Sequence, residues 1–228
     1  MIRNVVIPSS RPYSWPCEGA VNINKVAVII IDMQLDFCAP GGYIADQGID
    51  LKNARAIQKV LEAARENSEV LVIHTREGHR PEMVDLPFNK VWRSEQVSVG
   101  IGNKGPLGKL LIRGEPGWEI IPELQPIPGE IIIDKPGKGA FYATDLEHIL
   151  RTSGITHLIL AGLTADVCVQ TTIREANDRG FETLLLRDAT AATEDEHKKA
   201  TISMIEMQGG IFGATSTSAE FCDALLNI

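Results

Sequence analysis

The 228-residue chain carries only four cysteines, Cys17, Cys38, Cys168 and Cys222, and no two of them form a CxxC pair. Such spacing argues against a disulfide framework and against a cysteine zinc site, and it fits a reducing compartment. Basic residues are also scarce: 22 Lys and Arg stand against 30 Asp and Glu, a net charge of −8. With no basic cluster to hold a phosphate backbone, nucleic acid is not an expected partner. Long apolar runs are missing too. The longest, VAVIII at 26–31, is far too short to span a bilayer, and the N-terminus lacks a charged-then-apolar signal pattern. No membrane partner is expected, and the protein is expected to be cytoplasmic. A Gly-rich turn is absent after VAVIIID, where the chain continues as MQLDF. This speaks against a nucleotide-binding α/β module, which needs such a turn to approach a pyrophosphate.

Hydrophobic residues make up 44% of the chain and charged residues 23%, a balance that supports a packed core rather than disorder. Apolar, β-rich runs recur at 26–32, 70–75, 131–134, 157–162 and 183–188, and GIFGAT at 210–215 can add a sixth, edge strand. The runs are nearly continuous rather than alternating, as strands covered on both faces require. Helical patterns lie between most of them, at 51–67, 143–154, 168–180 and 196–210, and three of these end at a glycine. The pattern predicts a three-layer α/β fold with a mostly parallel six-stranded sheet, in one domain spanning 1–228. Two stretches stand apart. Residues 1–24 carry Pro8, Pro12 and Pro16 and read as an irregular arm over a partner surface or an entrance. Residues 76–130 carry seven prolines and no long helical pattern. That is too long for an ordinary connection and reads as a lid or an oligomer contact that shapes the pocket.

Ligands of an open parallel sheet bind beyond the carboxyl ends of its strands, so reactive residues at those ends are the first candidates. Asp32 follows VAVIII, Lys135 follows IIID, and Cys168 opens a helix just after HLILAG. A thiol at a helix N-terminus, with an ammonium nearby, is biased towards thiolate, and an aspartate within reach can take its proton and return it to a leaving amine. Each residue also has a plain reading, as a packing cysteine, a capping aspartate or a solvated lysine. It is their common placement that points to chemistry.

The segments that carry this trio, VAVIIIDMQLDFCAPGG, IIDKPGKGAFYATDL and LAGLTADVCVQTTIREANDRGF, resemble the three signature regions of the isochorismatase-like cysteine hydrolases. The resemblance covers nearly everything from residue 24 onward. It implies a six-stranded parallel sheet and an amidohydrolase in which Asp32, Lys135 and Cys168 are catalytic. It also implies a cis peptide between Leu163 and Thr164, with the N–H groups of Thr164 and Cys168 as oxyanion hole. No cofactor is implied, and a homo-oligomer, a tetramer, is. Within the family, HTREGHRPEMVDLPFNKVWRS, RGEPGWEIIPEL and EMQGGIFG are most similar to biuret hydrolases and their triuret-hydrolysing relatives. That similarity implies a small ureido substrate, biuret cleaved to allophanate and ammonia, bound by Phe37, Lys138 and Gln208. Triuret hydrolysis, or hydrolysis of ureidoacrylate or another N-carbamoyl amide, is the alternative. Cys38 reads as pocket wall rather than as a second nucleophile.

One departure concerns metal. Nicotinamidases of this superfamily carry a D-x-H motif after the second strand, where this chain reads HTREGHR, leaving His74 and His79 without the paired Asp. Turnover is therefore expected to survive dialysis against a chelator. Stoichiometric zinc or iron in the purified protein, with activity lost on its removal and restored on its return, would contradict this.

Overall fold

The computed structural model describes residues 3–42, 52–97 and 99–227. Six parallel strands form the main sheet: β1 (Val26–Ile31), β2 (Leu71–Glu77), β3 (Ile131–Lys135), β4 (His157–Leu163), β5 (Glu182–Ala191) and β6 (Ala214–Ser216), in the spatial order β6-β5-β4-β1-β2-β3. Around it lie α1 (Lys52–Glu66), α2 (Phe88–Glu95), α3 (Leu146–Thr152), α4 (Gln170–Asp178), α5 (Asp195–Gly210) and α6 (Ser218–Leu226). No helix among the described residues is long and apolar enough to cross a membrane.

The continuous apolar strands bury both faces, because alternate side chains point to opposite sides. Val26, Val28 and Ile30 of β1 pack with Ile57 and Leu61 of α1 and Phe221 and Leu225 of α6. Ala27, Ile29 and Ile31 face the other way, into a core built with Leu146 and Leu150 of α3 and Ile173 and Ala176 of α4. The expected strands are all present, GIFGAT supplying the edge strand β6. The helix expected over 51–67 is α1, although Leu51 lies outside the described residues. The expected 196–210 helix is α5, whose last turn breaks where Met207, Gln208 and Gly209 leave helical geometry. α6 was not expected. Its start is nonetheless marked by a capping box, Thr217 and Glu220, each satisfying the other's backbone N–H.

The arm packs on the chain's own sheet. Val5, Ile7 and Trp15 join the core, and Arg11 exchanges backbone hydrogen bonds of 2.9 and 2.7 Å with Thr215 of β6. The proline-rich stretch is likewise tied down. β2 runs two residues further than expected, to Glu77, and the chain then forms α2 and two short 3-10 turns, Pro116–Trp118 and Pro122–Leu124, each with proline at its start. It returns to the loop after β1 through backbone bonds from Leu35 to Glu119 and from Ile121 to Met33.

Asp36 is the anchor of that return. Its carboxylate is buried, accepts the N–H of Leu111 at 2.8 Å, and sits so close to Gly117 that a Cβ there would lie 2.0 Å from Oδ1. Burial pushes its pKa up to about 6, against the pull of the Leu111 hydrogen bond. The folded state thus holds the proton more tightly than the unfolded chain. Stability falls as pH rises from about 4 to 6, and at neutral pH the ionised group is a cost on the order of 3 kcal/mol. An asparagine oxygen can still accept from Leu111. Asp36→Asn is expected to raise Tm at pH 7.5 by several degrees and to change it little at pH 4, as measured by thermal melts at both pH values.

Candidate active site

Four strand ends converge on the site. Asp32 follows β1, Glu77 and Lys135 end β2 and β3 and stand side by side in register, and Leu163 ends β4. Asp32 turns the chain in the left-handed region, φ 51°, a conformation uncommon outside glycine and concentrated at functional sites. Beside it Gly162, φ 113°, leaves no room for a side chain, since a Cβ would fall 2.1 Å from the Ile31 carbonyl oxygen. The peptide between Leu163 and Thr164 is cis. After it the chain makes one wide π-helical turn, Ala165–Val169, and Cys168 sits in that turn, ahead of α4.

Asp32 and Lys135 are completely buried, with Lys135 Nζ 2.7 Å from Asp32 Oδ2. The Thr75 hydroxyl donates to Asp32 Oδ1 at 2.6 Å, and Lys135 donates to the carbonyls of Gly137 and Lys138 at 3.0 and 2.9 Å. Burial works against the charge on Lys135, but Asp32, Cys168 and Glu77 together carry its pKa above the ordinary value. A buried ion pair is costly unless further hydrogen bonds support it, and here Thr75 holds one Asp32 oxygen while two carbonyls hold the lysine.

The Cys168 thiol donates to Glu77 Oε2 at 3.4 Å rather than to Asp32, although sulfur and both carboxylates lie within 4.8 Å of one another. Burial pushes the thiol well above its ordinary pKa, Lys135 pulls it down, and Asp32 and Glu77 push it up again. Burial and the two carboxylates therefore oppose the thiolate, while Lys135 and Lys138 favour it. Glu77 is also fully buried. Three ammoniums, Lys135, Lys138 and Lys90, more than offset its burial and hold its carboxyl below the usual range. Lys90 Nζ stands 2.7 Å and Lys138 Nζ 2.9 Å from Glu77 Oε1. Lys90 comes from α2, so the proline-rich stretch delivers a charge to the site.

A cavity of about 150 Å³ opens beside the sulfur, and Phe37, Glu77, Lys138, Thr164, Cys168 and Thr193 are among its lining residues. Of the residues expected from the sequence, Cys168, Thr164, Phe37 and Lys138 line this cavity, and Asp32, paired with Lys135, lies within reach of the sulfur. Gln208 does not: it lies exposed in the left-handed break of α5 and is not among the cavity's lining residues. Cys38 is buried in the core near Asp32, where burial raises its pKa to about 12, and it is not among the cavity's lining residues. His74 pairs with Glu130 at 2.9 Å and His79 with Lys90 at 3.0 Å, so the two imidazoles do not share a ligand. Among the described residues, Asp32, Glu77 and Cys168 form the one cluster that could hold a metal ion. The Lys135 ammonium, 2.7 Å from Asp32 and 3.8 Å from Glu77, already provides a cation between these carboxylates.

Residues 26–220 match the Isochorismatase domain family. The chain belongs to the isochorismatase family. Two ureidoacrylate amidohydrolases RutB are similar to this family member. The protein from Azorhizobium caulinodans is 33% identical over 219 residues, covering 92% of this chain and 94% of its own. That from Caulobacter segnis is 34% identical over 225 residues, covering 95% and 90%. Among solved structures, a cysteine hydrolase from Pseudomonas syringae pv. phaseolicola superposes with TM-score 0.77 at 27% identity, over 91% of this chain and 95% of its own. The two RutB relatives are named as amidohydrolases. The finer biuret resemblance is not repeated by these relatives, whose names point to the ureidoacrylate alternative.

Because Lys135 is the strongest influence holding the Cys168 thiol down, removing its charge should make the thiol harder to ionise. In Lys135→Met, the pH profile of Cys168 alkylation by iodoacetamide is expected to move at least about one pH unit higher. An unchanged profile would remove Lys135 from thiol activation.

Proposed function

We propose that the protein is a cysteine-dependent amidohydrolase that cleaves a C–N bond of a small ureido compound through a covalent acyl-enzyme. The observation that carries the reading is Cys168 Sγ on the cavity wall, beside an Asp32 carboxylate fixed by Lys135. Asp32 takes the thiol proton as sulfur attacks the ureido carbonyl carbon. The new S–C bond shifts the carbonyl π pair onto oxygen, which the N–H groups of Thr164 and Cys168 receive as an oxyanion hole. The pair then returns, the C–N bond breaks, and the departing nitrogen takes the proton from Asp32. In the second half Asp32 accepts a proton from water as it attacks the thioester-like carbon, and sulfur leaves with that proton.

Two substrate readings have support. A ureido acid of the ureidoacrylate type is favoured by the RutB relatives. It is favoured also by charge, since Lys90, Lys135 and Lys138 outnumber Asp32 and Glu77 by one while the thiol is neutral. Biuret is favoured by the sequence resemblance and by the presence of Lys138 and Phe37 on the cavity wall. Lys138 can only donate, which suits a second carbonyl as well as a carboxylate.

Ammonia release from ureidoacrylate, biuret and triuret separates these. The wild type is expected to turn over at least one of the three, and Cys168→Ala to lose roughly a thousandfold or more while keeping its far-UV spectrum. Near-wild-type turnover in Cys168→Ala would replace the covalent route by direct attack of water.

A further inference from the structure

We infer that Glu77 is a specificity-determining residue whose Oε2 accepts a substrate N–H beside the scissile carbon, selecting carbamoyl compounds over carbonyl compounds that have no N–H. The inference deepens the ureido-hydrolase reading and rests on it.

Glu77 is fully buried, yet it lines the cavity together with Cys168. Its two oxygens have different surroundings. Oε1 is occupied by two ammoniums, Lys90 at 2.7 Å and Lys138 at 2.9 Å. Oε2 has only the Cys168 thiol at 3.4 Å and Lys135 at a long 3.8 Å. A carboxylate oxygen has room for about two donors, so Oε2 keeps acceptor capacity next to the nucleophile. That capacity grows during reaction, because a thiolate no longer donates and the anion beside it leaves Oε2 short of a partner. A carbamoyl NH₂ or NH supplies one. An ester of the same shape does not, and leaving a buried polar group unmatched is how such sites reject analogues.

The residue cannot swing away to avoid the mismatch. Buried Gln34 clamps its backbone, accepting the Glu77 N–H at 2.7 Å and donating to the Glu77 carbonyl at 2.9 Å. The two lysines also dictate how a glutamine would sit at this position. An ammonium only donates, so the amide must turn its oxygen to Lys90 and Lys138 and its NH₂ to the cavity. Glu77→Gln therefore reverses the hydrogen-bonding polarity that the substrate meets while keeping the shape.

The test compares p-nitrophenyl carbamate with p-nitrophenyl acetate, which has the same leaving group and nearly the same size but a methyl in place of NH₂. Nitrophenolate release reports acylation of Cys168 directly. The carbamate-to-acetate ratio of kcat/KM is expected to fall by about ten- to a hundredfold in Glu77→Gln, through loss on the carbamate. Equal losses on both esters, or an unchanged ratio, would overturn the inference and leave Glu77 as a support for its lysines. Should the glutamine variant fail to fold, Glu77→Asp is measured in the same way. It keeps the charge for the lysines but withdraws the oxygen from the cavity, so the ratio is again expected to fall, and equal losses again overturn. These esters are not the ureido panel, so failure of the ureido reading appears in ammonia release and failure of this inference in the ester ratio.

Discussion

The contact between Lys135 and Asp32 is the constraint on which the rest of the site depends. Two opposite charges with no solvent exposure are stable only if neither can lose its partner, because one left alone would face the full desolvation cost. The fold meets this by holding Asp32 Oδ1 and the lysine's other protons with fixed partners. Thr75 on β2 holds one Asp32 oxygen, and the carbonyls of Gly137 and Lys138 hold the lysine's other protons. Those partners come from strand ends and the turn directly after one, so the sheet must be in register before the pair can close. Glu77 opposite Lys135 is part of that same register.

A second carboxylate in so small a space would repel Asp32 if it were not separately neutralised. The structure divides its cations accordingly: Lys135 lies close to Asp32, while Lys90 and Lys138 lean on the far oxygen of Glu77. The nucleophile lies within reach of both carboxylates, and its thiol donates to Glu77.

The sequence made the sheet legible because strands buried on both faces are written as unbroken apolar runs, and Asp32, Lys135 and Cys168 were legible because each stands at or just past a strand's end. Glu77 obeys the same rule and was missed for a simple reason. The run VLVIHT carries the apolar signal only to Thr75, and the two further residues of β2, Arg76 and Glu77, are charged and look like the start of the proline-rich stretch. Lys90 carries no such signal. Its position depends on how irregular chain folds back over the sheet, through contacts such as Asp36 to Leu111, and periodicity does not encode those. Gln208 shows the opposite limit, since a motif can be recognised while the backbone around it, here the left-handed break in α5, places the side chain outside the cavity.

The arm has a meaning for assembly. An outer strand offers a row of unpaired N–H and C=O groups, a template on which another chain can add. Arg11 takes up the exposed side of β6 at Thr215, and the cores of Ile7 and Trp15 hold it there. The edge of β6 is therefore partnered at Thr215 from within its own chain.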